Sequence, residues 1–167
     1  MTSARLLELA YLMLPAYLAN MAPPFVKYWR GWNRPISGRW LGDHKTVVGF
    51  VSGVAVGVLT AYLQCHLGGL RSFYPSAQWF AVGFAQGFGA MGGDALKSFF
   101  KRRMGLPPGR SWIPADQLDF PIGAVLLLSF WVPLRWNDIA AILGVSFAGT
   151  VVVNHISFRL GIRDTKW

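Results

Sequence analysis

The sequence predicts an all-α integral membrane protein with about five transmembrane helices, N-terminus outside and C-terminus cytoplasmic. Composition is the first ground: of 167 residues, 53% are hydrophobic and 14% charged, whereas a soluble domain carries about 25% charged residues. The second is a series of apolar stretches, each close to the roughly 20 residues a helix needs to cross a bilayer and none with the period-2 alternation of a membrane barrel. The third is the crowding of basic residues into alternate loops. A net charge of +9 would point a soluble chain towards nucleic acid. Here the cations answer to the membrane, and no nucleic-acid partner is expected. The lone Cys65 excludes an internal disulfide framework.

In chain order the expected spans are 6–26, 47–67, 78–100, 120–136 and 139–158, within one transmembrane domain over 1–167. The first follows Arg5 and has Glu8 near its outer end as an interfacial carboxylate. Cleavage after the small residues around Ala22, as in a signal peptide, would leave Pro23 outside beside a loop that the charges place inside. The second span carries Gly49, Gly53 and Gly57 at every fourth position, the pattern of a helix-contact face. The third has a bare face of Gly83, Gly87, Gly89, Gly92 and Gly93, open to a neighbouring helix or a ligand. The fourth is short enough to be re-entrant.

Orientation follows from the cations. Lys27, Arg30, Arg34, Arg39 and Lys45 fill the first loop, Lys97, Lys101, Arg102, Arg103 and Arg110 the third, and Arg159, Arg163 and Lys166 the tail. The other side holds only Arg5, Arg71 and Arg135. The positive-inside rule makes the two large basic loops cytoplasmic, with Trp29, Trp32 and Trp40 as an interfacial aromatic belt.

Acids are interleaved with these cations. A surface built only to attract anionic lipid needs cations alone, so the mixture points to joint binding of metal and phosphate. At the start of the second span, Asp43-His44-Lys45-Thr46 precedes a helix N-terminus, where free amides and the dipole favour an anion. Asp43 can equally be a helix cap, and Thr46 can cap or bind phosphate. At the end of the third span, Gly92-Gly93-Asp94 leads to Lys97, Ser98 and Lys101 on one helical face, setting a Mg²⁺-type carboxylate beside phosphate-binding cations. Asp116 and Asp119 then return two carboxylates to the membrane surface near Asp94 after a loop rich in Pro and Gly.

These clusters resemble the CTP-dependent cytidylyltransferases that activate phospholipid precursors. Lys45-Thr46-Val47-Val48-Gly49 is similar to that family's Lys-Thr-x-x-Gly element. Gly93-Asp94, Ser98 and Lys101-Arg102 are similar to its Gly-Asp-x-x-x-Ser-x-x-Lys-Arg element, and Asp116-x-x-Asp119 to its closing Asp-Arg-x-Asp. The Lys-Asp pair and His-Gly-Gly element of the longer phosphatidate enzymes do not occur, Gln117 replaces the Arg, and Lys97 replaces a Glu. The short forms GDHKTVVG, GDALKSFFKRRMG and DQLDF resemble the archaeal branch, the synthases of CDP-archaeol.

The resemblance implies a multi-pass cell-membrane enzyme with its active site facing the cytoplasm. It would transfer CMP from CTP to 2,3-di-O-geranylgeranyl-sn-glycerol 1-phosphate, releasing pyrophosphate. A diacyl phosphatidate is the competing acceptor. The implied catalytic residues are Asp94, Lys97, Asp116 and Asp119, with Mg²⁺ on Asp94, Asp116 and Asp119. The implied nucleotide-binding residues are Asp43, Lys45, Thr46, Gly92, Gly93, Lys97, Lys101 and Arg102. The glycine faces of spans two and three, including Gly87 and Gly89, are the expected border of a groove admitting the lipid sideways. The different class of function is a small transporter lined by Asn20, Gln86, Asn154 and His155, which would need polar groups throughout the membrane depth.

Overall fold

The computed structural model describes residues 2–26, 33–67, 73–107 and 110–159, and every regular element among them is helical. Lys27, Trp29, Arg30, Trp32, Arg71, Arg163 and Lys166 lie outside the described residues. The helices are α1 (Ser3–Leu12), α2 (Leu14–Met21), α3 (Pro23–Val26), α4 (Gly38–Leu41), α5 (Val47–Leu67), α6 (Trp79–Arg103), α7 (Ala115–Leu128) and α8 (Trp136–Arg159). Among the described residues α5 and α8 are each long and apolar enough to cross a membrane, and the bent run from Ser3 to Val26 adds a third if counted as one span.

The expected first span, 6–26, is broken rather than straight, with a 48° bend between Ser3–Leu12 and Leu14–Val26. Pro15 is the cause: it has no amide to return to the Tyr11 carbonyl four residues back. In a bilayer such a carbonyl must find another donor. The Gln64 Nε2 of α5 donates to the Tyr11 carbonyl at 2.5 Å, and the Gln86 Nε2 of α6 donates to the Leu12 carbonyl at 2.9 Å. Gln86 therefore supports a kink rather than lining a transport path.

The α5 helix has the bounds expected of the second span, and α6 runs to Arg103, past the expected 78–100. The fourth segment departs most from expectation. Instead of 120–136, α7 occupies Ala115–Leu128, a turn follows at 129–131, and irregular backbone leads to α8. Its 14 residues give about 21 Å at 1.5 Å per residue, short of a hydrocarbon core about 30 Å thick. Apolar composition misplaced both ends: the polar turn Ala115–Asp119 is helical, whereas Phe130 and Trp131 are not.

Helix α6 is the centre, packed against α5, α7 and α2. Its glycines allow that. A Cβ on Gly57 would lie 2.9 Å from the Gly87 Cα, and one on Gly87 would lie 3.0 Å from the Val54 Cα, so α5 and α6 meet backbone to backbone. On the other side, a Cβ on Gly123 of α7 would fall on the Gly89 carbonyl, and one on Gly93 on the Asp119 carbonyl. At the far end of the bundle, Arg5 clamps the start of α8, with Nη2 at 3.0 Å and Nε at 3.2 Å from the two carboxylate oxygens of Asp138. Glu8 is exposed and pairs with Arg5 at 3.2 Å, as an interfacial carboxylate would.

Candidate active site

Two helices, α6 and α7, and the segment leading into α5 bring the polar motifs together at one end of the bundle. Asp94 and Lys97 are one helical turn apart on α6, and Lys101 follows one turn later. Asp116 and Asp119 occupy the same relation at the start of α7. The tight glycine contact between α6 and α7 turns these two faces towards each other.

The centre of the arrangement is the Lys97 ammonium. It lies 3.2 Å from Asp94 Oδ1, 3.2 Å from Asp116 Oδ1 and 2.6 Å from Asp119 Oδ2. Lys45 takes the other oxygen of Asp94. Lys101 lies 3.1 and 3.2 Å from the two oxygens of Asp116 and also donates to the Arg110 carbonyl. The Trp112 amide donates to Asp116 Oδ2 at 2.6 Å. Burial pushes the Asp116 carboxyl up, but the Trp112 amide and the ammonium groups of Lys97 and Lys101 outweigh it and hold the group below the usual carboxylate range. Neither the Trp112 amide nor the Arg110 carbonyl was recognisable in the sequence, because backbone groups carry no residue signal.

Local structure delivers Lys45. The segment before α5 pairs with residues 34–36: Ile36 N donates to the Lys45 carbonyl at 2.7 Å and Val47 N to the Arg34 carbonyl at 3.0 Å. Gly42, with φ of 85°, ends α4 in a left-handed conformation that favours glycine. Trp40 of α4 stacks on Phe99 of α6 with ring centres 5.8 Å apart, and the Arg103 guanidinium lies 4.7 Å above the Trp40 ring. This belt tryptophan thus docks the Lys45 segment onto α6.

The anion site expected at the start of α5 is largely spent. Val47 N is used by Arg34, and Gly49 N donates to Thr46 Oγ1 at 3.1 Å. Thr46 is therefore a cap, with its hydroxyl proton still available to a phosphate. Asp43 and His44 are exposed at a turn, outside the ammonium–carboxylate cluster. The Asp43 carboxylate sits 2.7 Å from where a Cβ of Gly38 would be. The two glycines of the central motif differ: Gly93 is consumed by packing against α7, whereas a Cβ on Gly92 would meet nothing within 4 Å. The Nε of Arg102 is buried with no hydrogen-bond partner among the described residues.

A groove of about 390 Å³ opens between α6 and α7 below the cluster. Gly92, Leu96, Phe100, Leu118 and Ile122 line it, and Lys97 and Asp119 stand among its walls. A larger cavity of about 640 Å³ between α5 and α6 has no charged lining residue. Of the two glycines expected to border a lipid groove, Gly87 is buried against Val54, whereas Gly89 lines the groove between α6 and α7, the one of the two cavities that reaches the charged cluster.

The family model of CarS-like CDP-archaeol synthases matches residues 3–167 of this chain. The chain belongs to the CDP-archaeol synthase family. It is 37% identical to the CDP-archaeol synthase of Archaeoglobus fulgidus, over 97% of this chain and 98% of that protein. It is 35% identical to that of Thermococcus onnurineus over the full length of both. A solved structure of an intramembrane enzyme for archaeal membrane lipid biosynthesis is also similar, with a TM-score of 0.66 and 29% identity over 86% of this chain and 90% of that one.

Membership in the CDP-archaeol synthases makes the chain a membrane enzyme of lipid synthesis and removes the small-transporter alternative. Its cluster differs from a preformed metal centre in one respect. Among the described residues no three His, Cys, Asp or Glu side chains are arranged to hold a metal ion directly. Asp94, Asp116 and Asp119 converge as expected, but on an ammonium. Their donor chemistry suits Mg²⁺, which takes hard oxygen ligands from one or two carboxylates together with substrate phosphates.

Proposed function

We propose that this chain transfers CMP from CTP to 2,3-di-O-geranylgeranyl-sn-glycerol 1-phosphate, giving CDP-archaeol and pyrophosphate. One observation carries the reading: three carboxylates and three lysines converge beside an apolar groove between α6 and α7. Water-soluble triphosphate can reach the polar end, while the diether chains stay among apolar side chains. Keeping them there matters, because each CH₂ moved into water costs about 0.8 kcal/mol.

In the reaction an oxygen of the lipid phosphate attacks the α-phosphorus of CTP, and the bond from that phosphorus to the pyrophosphate oxygen breaks. The attacking phosphate is anionic near neutral pH, so no strong base is needed, and the barrier is mostly repulsion and alignment. Lys45, Thr46 and Lys97 bind the triphosphate, and Lys101 and Arg102 neutralise phosphate of either substrate. Asp94, Asp116 and Asp119 would hold Mg²⁺, which supplies polarisation of the phosphate oxygens.

The decisive assay uses purified protein in lipid nanodiscs with Mg²⁺, CTP, ATP or GTP radiolabelled at the α-phosphate, and either the diether or a diacyl glycerol phosphate. Label should enter a lipid product only with the diether at high efficiency; equal use of ATP or GTP, or no product, would overturn the reading. Gly92→Leu fills the groove, so it should raise KM for the lipid about tenfold or more and leave KM for CTP unchanged. The reverse pattern would move the lipid elsewhere.

The proposed topology is five spans with the cluster on the cytoplasmic side, supported by the confinement of thirteen of 16 Lys and Arg to alternate segments. A tag on Met1 should react only from outside and one after Trp167 only from the cytoplasm. Both tags on one side would mean an even number of crossings, with the short α7 as the non-spanning element.

A further inference from the structure

The Lys97 side chain is 16% exposed, and its ammonium touches all three carboxylates of the cluster. That is the position a cation shared by Asp94, Asp116 and Asp119 would need. A divalent ion bound there would face a positive charge at near-contact distance. The outer oxygens are engaged as well. Lys45 occupies the second oxygen of Asp94, Lys101 and the Trp112 amide that of Asp116, and the Phe120 amide that of Asp119 at 2.7 Å. Three lysines thus balance three carboxylates, leaving little net field to attract a free metal ion.

Building on the function proposed above, we infer that Lys97 is a resident cation. It closes the carboxylate triad to divalent metal until a nucleoside triphosphate draws it out. Lys97 is the group suited to this exchange, because a flexible four-carbon stem lets its ammonium trade carboxylate for phosphate without moving α6. A triphosphate brings both the anion that attracts Lys97 and the metal that replaces it. Metal and nucleotide then bind as a coupled pair, each strengthening the other by the same factor. The enzyme gains a guard against binding metal, or triphosphate without metal, in an unproductive form.

The test measures Mn²⁺ retained by the full-length protein in nanodiscs on ultrafiltration, at pH 7.5 and without lipid substrate, so that no turnover occurs. Without CTP, wild type should bind Mn²⁺ at least about tenfold more weakly than Lys97→Met, a difference of about 1.4 kcal/mol. Lys97→Arg, which keeps the cation, should resemble wild type. Addition of CTP should raise Mn²⁺ retention by wild type about tenfold or more and leave Lys97→Met nearly unchanged. Equal Mn²⁺ affinity of wild type and Lys97→Met without CTP would overturn the inference, as would wild-type binding that CTP does not alter. The wild-type comparison with and without CTP needs no variant, so misfolding of Lys97→Met leaves the inference open to refutation. A wild type that binds Mn²⁺ as expected but yields no lipid product with CTP would refute the proposed function instead.

Discussion

Asp94→Asn should lower kcat by about 100-fold or more, the scale on which loss of a single preorganised charge acts in a closed site. The structure makes Asp94 the junction between two cations: Lys45 is on one oxygen and Lys97, at 3.2 Å, on the other. An amide of the same shape keeps the volume but removes the charge that aligns both ammonium groups and would hold Mg²⁺. Folding should survive, because the carboxylate is 20% exposed and the lysines are 25% and 16% exposed, so water can reach the freed charges. The check is kcat at saturating CTP and lipid beside the thermal midpoint. A near-normal rate would remove Asp94 from the chemistry. Asp119→Asn should be similarly severe. A helix-cap role would have made it mild, but Asp119 is the fifth residue of α7 and makes the shortest of the three contacts of Lys97 with the triad, at 2.6 Å.

Gly123→Ala should leave little folded protein. A Cβ there would fall on the Gly89 carbonyl oxygen and lie 3.0 Å from the carbonyl carbon and 3.1 Å from the Gly93 Cα. All three obstacles are backbone, so no side chain can turn aside and the helices must separate. Overpacking a well-packed interface costs about 1–3 kcal/mol where side chains can adjust, and here they cannot. Separation would also pull Asp116 and Asp119 from Lys97, so any surviving protein should be inactive. Gly92→Ala is the control: its Cβ meets nothing within 4 Å, and the variant should elute as a single species after detergent extraction with an unchanged midpoint. Normal folding and activity of Gly123→Ala would contradict the close approach of α6 and α7.

The chemistry was legible in the sequence because it is local. Asp94, Lys97 and Lys101 fall on one face of any helix that contains them, as do Asp116 and Asp119, and helical spacing alone assembles each half of the site. The all-helical character and the bounds of α5 were legible for a similar reason, since an uninterrupted apolar run can satisfy its backbone in a bilayer only as a helix. Glycine spacing also announced close helix contacts, though not with which partners.

Tertiary structure decided the rest, and the reason is the same in each instance: the deciding partner is remote in sequence. The motif around Lys97 reads as triphosphate binding, and only the approach of α7 reveals that its ammonium already joins three carboxylates. The bend at Pro15 is visible as a missing amide, but Gln64 and Gln86, which make the bend tolerable, come from two other helices. A stripe of glycines does not say which neighbour fills it: Gly87 meets Val54 of α5, whereas Gly89 and Gly93 meet Gly123 and Asp119 of α7. Residue type and helical period determined what chemistry this protein carries. The packing of α6 between α5 and α7 decided where charges meet, because attraction between charged groups falls with a distance that only the folded chain sets.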